Sequence, residues 1–168
     1  MTTAALLEDA FGRIQETVHE VLDDLAAVDL GQRLDDDANS IAWLLWHLTR
    51  TQDDHVAAVA GTEQVWTADG WARRFALPFD DGDIGYGHDT SQVAAVTASA
   101  ELLRGYLDAV SAATSAYVRT LAEADLARVV DDNWDPPVTL GVRLVSVLAD
   151  NLQHAGQAAY VKGILGRR

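Results

Sequence analysis

The chain contains no cysteine. That absence excludes disulfides, thiolate metal sites and a thiol nucleophile carried by the protein itself. Basic residues are few, 12 against 26 acidic ones, for a formal charge of −14. Such a field repels nucleic acid and anionic lipid surfaces, so neither is expected as a partner. No apolar run approaches the ~20 residues of a membrane span. The opening "MTTAALLEDAFGR" lacks the basic patch and long apolar stretch of a secretion signal, so a cytoplasmic location is expected. No P-loop, Rossmann glycine pattern, G-x-S-x-G or zinc-finger spacing appears.

What is present is helical. The chain has 168 residues, 49% of them apolar, which suits one domain over 1–168 with a continuous core. Leu6, Leu7, Ala10, Phe11, Ile14, Val18, Val21, Leu22 and Leu25 recur at three- and four-residue steps and predict a first helix. A second follows in "NSIAWLLWHLTRTQDDHVAAVAG", with Asn39 or Ser40 as its cap and Gly61 as its stop. Residues 62–96 have no long period. They carry Trp66, Trp71, Phe75, Pro78 and a glycine-rich stretch, and read as a long connection with short helical turns. The period returns through Leu102, Tyr106, Val110, Ala113 and Tyr117, with Thr97 as candidate cap. Pro136 and Pro137 break the chain, and Thr139 can begin a last helix reaching to Gly163 or Gly166. Without sustained strand alternation, the expectation is an all-α four-helix bundle with a long crossover between its second and third helices.

One polar pair interrupts the apolar helices. Asp150 and His154 stand four residues apart in "LADNLQHAGQAAY". A four-residue step turns about 40° and rises about 6 Å, so both side chains can reach one ion. Imidazole nitrogen and carboxylate oxygen are normal ligands for zinc or another divalent metal. A third ligand must come from a neighbouring helix, and His47, on the edge of a buried stripe, is the best candidate. Spacing alone favours an exposed i,i+4 pair. The apolar context favours the metal, because burying an unpaired aspartate is expensive.

Several other residues can be weighed. Asp54 is a candidate hydrogen-bond partner for the His47 ring, and His55 a rim residue. His88 can reach the site only if the glycine-rich connection folds over it. Arg50 and Arg143 could pair with an anionic substrate group or stand as solvated surface charges. Trp43, Trp46 and Trp134 read as packing residues, and His19 as exposed.

The segments "NSIAWLLWHL" and "NLQHAGQAAYVKGILG" resemble the DinB-like superfamily. More narrowly, they are similar to relatives of mycothiol-dependent maleylpyruvate isomerase and of thiol S-transferases. The family's H-x-G-Q is matched by His154, Gly156 and Gln157. "PPVTLGVRLVSVLADNL" resembles the lead-in to the last helix, and "DIGYGHDT" a crossover segment of such proteins. The resemblance implies a four-helix bundle with a divalent metal, zinc first or else nickel, held by one residue of the second helix and an HxxxH-type pair on the last. Those positions here are His47, Asp150 and His154. The chain departs from the pattern at Asp150, where relatives carry histidine or glutamate.

The resemblance further implies an enzyme using a small-molecule thiol of the mycothiol type as cosubstrate, attacking an electrophile as an S-transferase or isomerase. It also implies a homodimer. With no cysteine in the chain, the sulfur would have to arrive with that cosubstrate. Metal-dependent hydrolysis, and a non-catalytic bundle with a vestigial metal site, are the alternatives.

Overall fold

Each long helix begins where a side-chain oxygen can accept from its first free amides. In the computed structural model, which describes residues 2–167, α1 (Thr3–Leu22) is capped by Thr2 and α2 (Ile41–Ala60) by Ser40. Helix α2 stops at Gly61, whose φ of 70° is the left-handed cap that glycine adopts without strain. The crossover then forms three short helices, α3 (Val65–Ala68), α4 (Trp71–Phe75) and α5 (Thr90–Ala95). The third and fourth long helices are α6 (Ala100–Val118) and α7 (Leu140–Leu165), capped by Ser99 and Thr139. The architecture is the expected all-α one.

Two local features differ from expectation. The cap of α6 is Ser99, not Thr97. Val96 has to reach the core, where it is 1% exposed, and the chain stays non-helical until it has done so. A two-stranded antiparallel ribbon, β1 (Val129–Asp131) with β2 (Val138–Thr139), precedes α7. It is too short to leave a period-2 signal in the sequence.

Helix α1 packs against α6 and α7, and α2 packs against the same two, so α1 and α2 lie diagonally across the bundle. Hydrogen bonds give the directions. Glu8 meets Ser115 while Asp23 meets Arg104, so α1 and α6 are antiparallel. Arg50 meets Tyr106 while Val59 meets Tyr117, so α2 and α6 are parallel. Lys162 of α7 donates to the Glu20 and Asp23 carbonyls, closing the ring at the C-terminal end of α1.

Helix α2 is the axis of the molecule. Ile41, Leu44, Leu45, Trp46 and Leu48 are almost wholly buried, against Ile14 and Val18 of α1, Tyr106, Leu107 and Val110 of α6, and Leu140 and Leu144 of α7. Burying each such side chain contributes about 1.5–3 kcal/mol relative to leaving it exposed. Every residue from Ile41 to Asp53 is buried, polar ones included. The crossover covers the side that the bundle leaves open. Trp66 and Phe79 pack on Trp46, with ring centroids 6.5 and 5.9 Å away, and Phe75 packs on Trp66.

Candidate metal centre

Helices α2 and α7 are antiparallel neighbours, and this brings residue 47 opposite residues 150–154. One donor atom from each of His47, Asp150 and His154 lies within 4.8 Å of the others. The two imidazole centroids are 4.8 Å apart, with planes at 76°. Asp150 Oδ1 is 3.5 Å from His154 Nε2. Two features let α7 come this close to α2. Ala155 and Ala158 are small and buried, and the Asn151 amide donates to Gln52 Oε1 at 2.7 Å.

Each histidine has its other ring nitrogen engaged. His47 Nδ1–H donates to the Ile84 carbonyl, and His154 Nδ1–H donates to Gln157 Oε1 at 2.9 Å. Both Nε2 atoms are therefore left to face Asp150. Outer partners of this kind fix the tautomer and orientation of metal-ligating histidines. The H-x-G-Q stretch thus has a physical reading, because Gln157 stands one turn after His154 and orients it.

Burial pushes the His47 imidazole below its ordinary range, the Ile84 hydrogen bond only partly opposing it. His154 moves the other way. Its hydrogen bond to Asp150 raises it against the cost of burial, with Gln157 helping. Burial alone would raise Asp150. The hydrogen bond and charge of His154, with His47 and His55 adding, hold it below the usual carboxylate range.

Asp150 Oδ2 is buried and has no hydrogen-bond partner. A desolvated carboxylate oxygen in that condition is costly. A divalent cation would complete it, and two imidazole nitrogens with one carboxylate oxygen form the three-ligand set of catalytic zinc sites. The residues present fit a divalent metal. Thr51, one helical turn after His47, and Asn151, next to Asp150, also each leave a buried oxygen without a partner. Nothing in the sequence marked Thr51, since threonine is common inside helices.

The remaining candidates sort differently from expectation. Asp54 does not reach the His47 ring. It accepts from Gln64 Nε2 at 2.8 Å and sits 3.3 Å from His55. Arg50 is not a surface charge. It is fully buried, donating to Gln64, Tyr106 and the carbonyls of Asp81 and Asp83. Arg143 is paired with Asp131 at 3.0 Å. His88 does come in, its side chain 2% exposed. Trp43 and Trp46 are buried as expected, whereas Trp134 is 66% exposed. His19 is half-buried and bonded to Asp108. His55 lies on the rim, where a cleft of about 610 Å³ is lined by His55, Val59, Arg128, Asp131, Asn133 and Arg143.

A model of the DinB superfamily matches residues 10–158. The crystal structure of a conserved protein from Enterococcus faecalis is similar over the whole chain. It shares 31% sequence identity at a TM-score of 0.93, covering 100% of this chain and 99% of that one. No curated protein matches.

Proposed function

The chain belongs to the DinB superfamily, and on that premise we propose a divalent-metal-dependent enzyme that uses a low-molecular-weight thiol as cosubstrate. His47, Asp150 and His154 hold the metal, with zinc the favoured ion. The reaction is S-transfer or isomerisation of an electrophile, and a mycothiol-type molecule is the thiol that fits the family resemblance. The observation that carries the reading is the convergence of three donors from two helices around a buried, unpartnered Asp150 oxygen.

Bound there, the ion would lower the pKa of a thiol or water presented to it. The chain's own residues do the rest. Gln157 and the Ile84 carbonyl orient the two imidazoles so that both Nε2 atoms point inward. Trp43 stacks on His47 at 4.6 Å and keeps water from that side. Asp150 and His154 are half-exposed, so the site opens to solvent on the α7 side. The neighbouring cleft, which brings His55, Arg128 and Arg143 together, offers room for the polar body of a thiol cosubstrate. A homodimer would use the outer face of α7, where Val142, Val145, Leu152 and Tyr160 are each more than half exposed.

Cobalt substitution tests the reading. Adding a low-molecular-weight thiol to cobalt-loaded protein should produce a sulfur-to-metal charge-transfer band that His154→Ala abolishes. If no thiol gives the band while activated esters are hydrolysed without thiol, water occupies the open position and the protein is a hydrolase. Failure to bind any divalent ion leaves the non-catalytic bundle.

A further inference from the structure

The crossover contributes none of the three donors, yet its backbone is hydrogen-bonded directly to His47. The Ile84 carbonyl accepts from His47 Nδ1–H. A carbonyl can only accept, so this bond requires the hydrogen on Nδ1 and leaves the Nε2 lone pair bare. The opposite tautomer would place a hydrogen where a ligand lone pair is needed. One backbone atom therefore decides whether His47 can bind a cation.

That atom is held in place by an unusual amount of buried polar structure. The Arg50 guanidinium, 0% exposed, donates to the Asp83 carbonyl at 3.2 Å and the Asp81 carbonyl at 3.1 Å. The Asp83 carboxylate accepts from the Gly85 amide at 2.7 Å. It also accepts from His88 Nε2–H, with both oxygens 3.1 Å away. His88 Nδ1 in turn accepts from Trp43 Nε1–H at 3.1 Å, and Trp43 lies flat on His47, 14° from parallel. The chain returns to His47 from two directions, through Ile84 and through Trp43.

Gly85 sits where nothing larger fits. Its φ is 89°, and an added Cβ would lie 2.9 Å from His47 Nδ1 and 2.9 Å from Trp46 Cζ3. Gly87, two residues on, also has a left-handed φ of 75°, but a Cβ there meets nothing within 4 Å. The two glycines separate backbone strain from contact with the imidazole.

We infer that the segment Asp81–His88, pinned by buried Arg50, is a positioning element that locks His47 in its Nδ1–H tautomer and aims Nε2 at Asp150 and His154. Arg50 and Gly85 are then positioning residues, acting on the ion only through His47. The inference rests on reading His47 as a metal ligand.

The test uses protein labelled with ¹⁵N-histidine, whose ring-nitrogen shifts report the tautomer without any metal, alongside zinc affinity measured by chelator competition. Metal-free wild type should show His47 with its hydrogen on Nδ1. Gly85→Ala should lose that pure tautomer and bind zinc about 10–100-fold more weakly, the usual cost of removing an outer partner of a ligand. Gly87→Ala should keep both properties although its φ is also left-handed. If Gly85→Ala does not fold, Arg50→Lys carries the test, because an ammonium keeps the charge but cannot fork to both carbonyls. A His47 hydrogen on Nε2 in wild type, or wild-type zinc affinity and tautomer in Gly85→Ala or Arg50→Lys, overturns the inference. A wild type that binds no zinc but shows the Nδ1–H tautomer, lost in Gly85→Ala, overturns the metal reading and leaves the positioning of His47 standing.

Discussion

Replacing Asp150 by asparagine should separate metal affinity from fold stability. The change preserves shape and takes away one charge. In the metal-free protein Asp150 Oδ1 faces His154 Nε2 at 3.5 Å, and the two side chains are 36% and 18% exposed. A pair that long and that wet is worth about 0–1 kcal/mol. For a domain of this size 1 kcal/mol moves the melting temperature by about 2–4 °C, so Asp150→Asn should cost no more than about 4 °C. Loading behaves differently. Zinc at 100 times its Kd stabilises the native state by about 2.7 kcal/mol, a rise of about 5–11 °C on the same scale. A variant whose site is a thousandfold weaker gains under about 0.1 kcal/mol at that zinc concentration, and its melting temperature should not move. Calorimetry of chelator-treated protein with and without added zinc gives all four values. An asparagine variant that keeps the full zinc-induced rise would refute the assignment of Asp150. A wild type indifferent to zinc, nickel, cobalt and manganese would refute the site.

Further outcomes follow from other contacts. Ser40→Ala removes the buried cap that accepts from the Trp43 amide at 3.2 Å and should cost about 0.5–2 kcal/mol in urea unfolding. Tyr106→Phe leaves the packing but deletes the hydroxyl that donates to Asp53 Oδ2 at 2.8 Å, at about 1–3 kcal/mol. The pH dependence of the metal-free protein carries two opposite signs. His154 is raised above its unfolded value of 6.5, so its contribution is complete below that pH and disappears as pH climbs through the folded value. Asp150 is lowered from 3.8, so its share is present above that pH and is lost as pH falls through the folded value. His47 and His55 are both depressed by burial, and each subtracts stability as pH drops below 6.5. Melting curves should therefore place His154→Gln further below wild type at pH 6 than at pH 9. Zinc affinity should fall on acidification as protons compete for His154.

The register of the long helices was legible because it is a local property. Apolar spacing located the α2 stripe, and with it the inward edge on which His47 stands. The four-residue step did the same for Asp150 and His154. The caps at Ser40 and Thr139 and the stop at Gly61 were readable for the same reason. What sequence could not show is what the crossover does once folded. Arg50 read as a surface charge because helical periodicity cannot say that a later segment will cover that face. The partner of the His47 ring was sought at Asp54, a side chain. It is the Ile84 carbonyl, and a main-chain acceptor leaves no trace in residue identity.

The division of the donors between α2 and α7 dictates when the three can meet. A growing chain that has released α1, α2 and α6 carries His47 but neither of the other two donors. Asp150 and His154 come later in the chain, on α7. A complete donor set therefore requires the docking of α7 against α2. A shortened chain ending before residue 150 would lose two of the three donors together with most of the helix that α2 packs against.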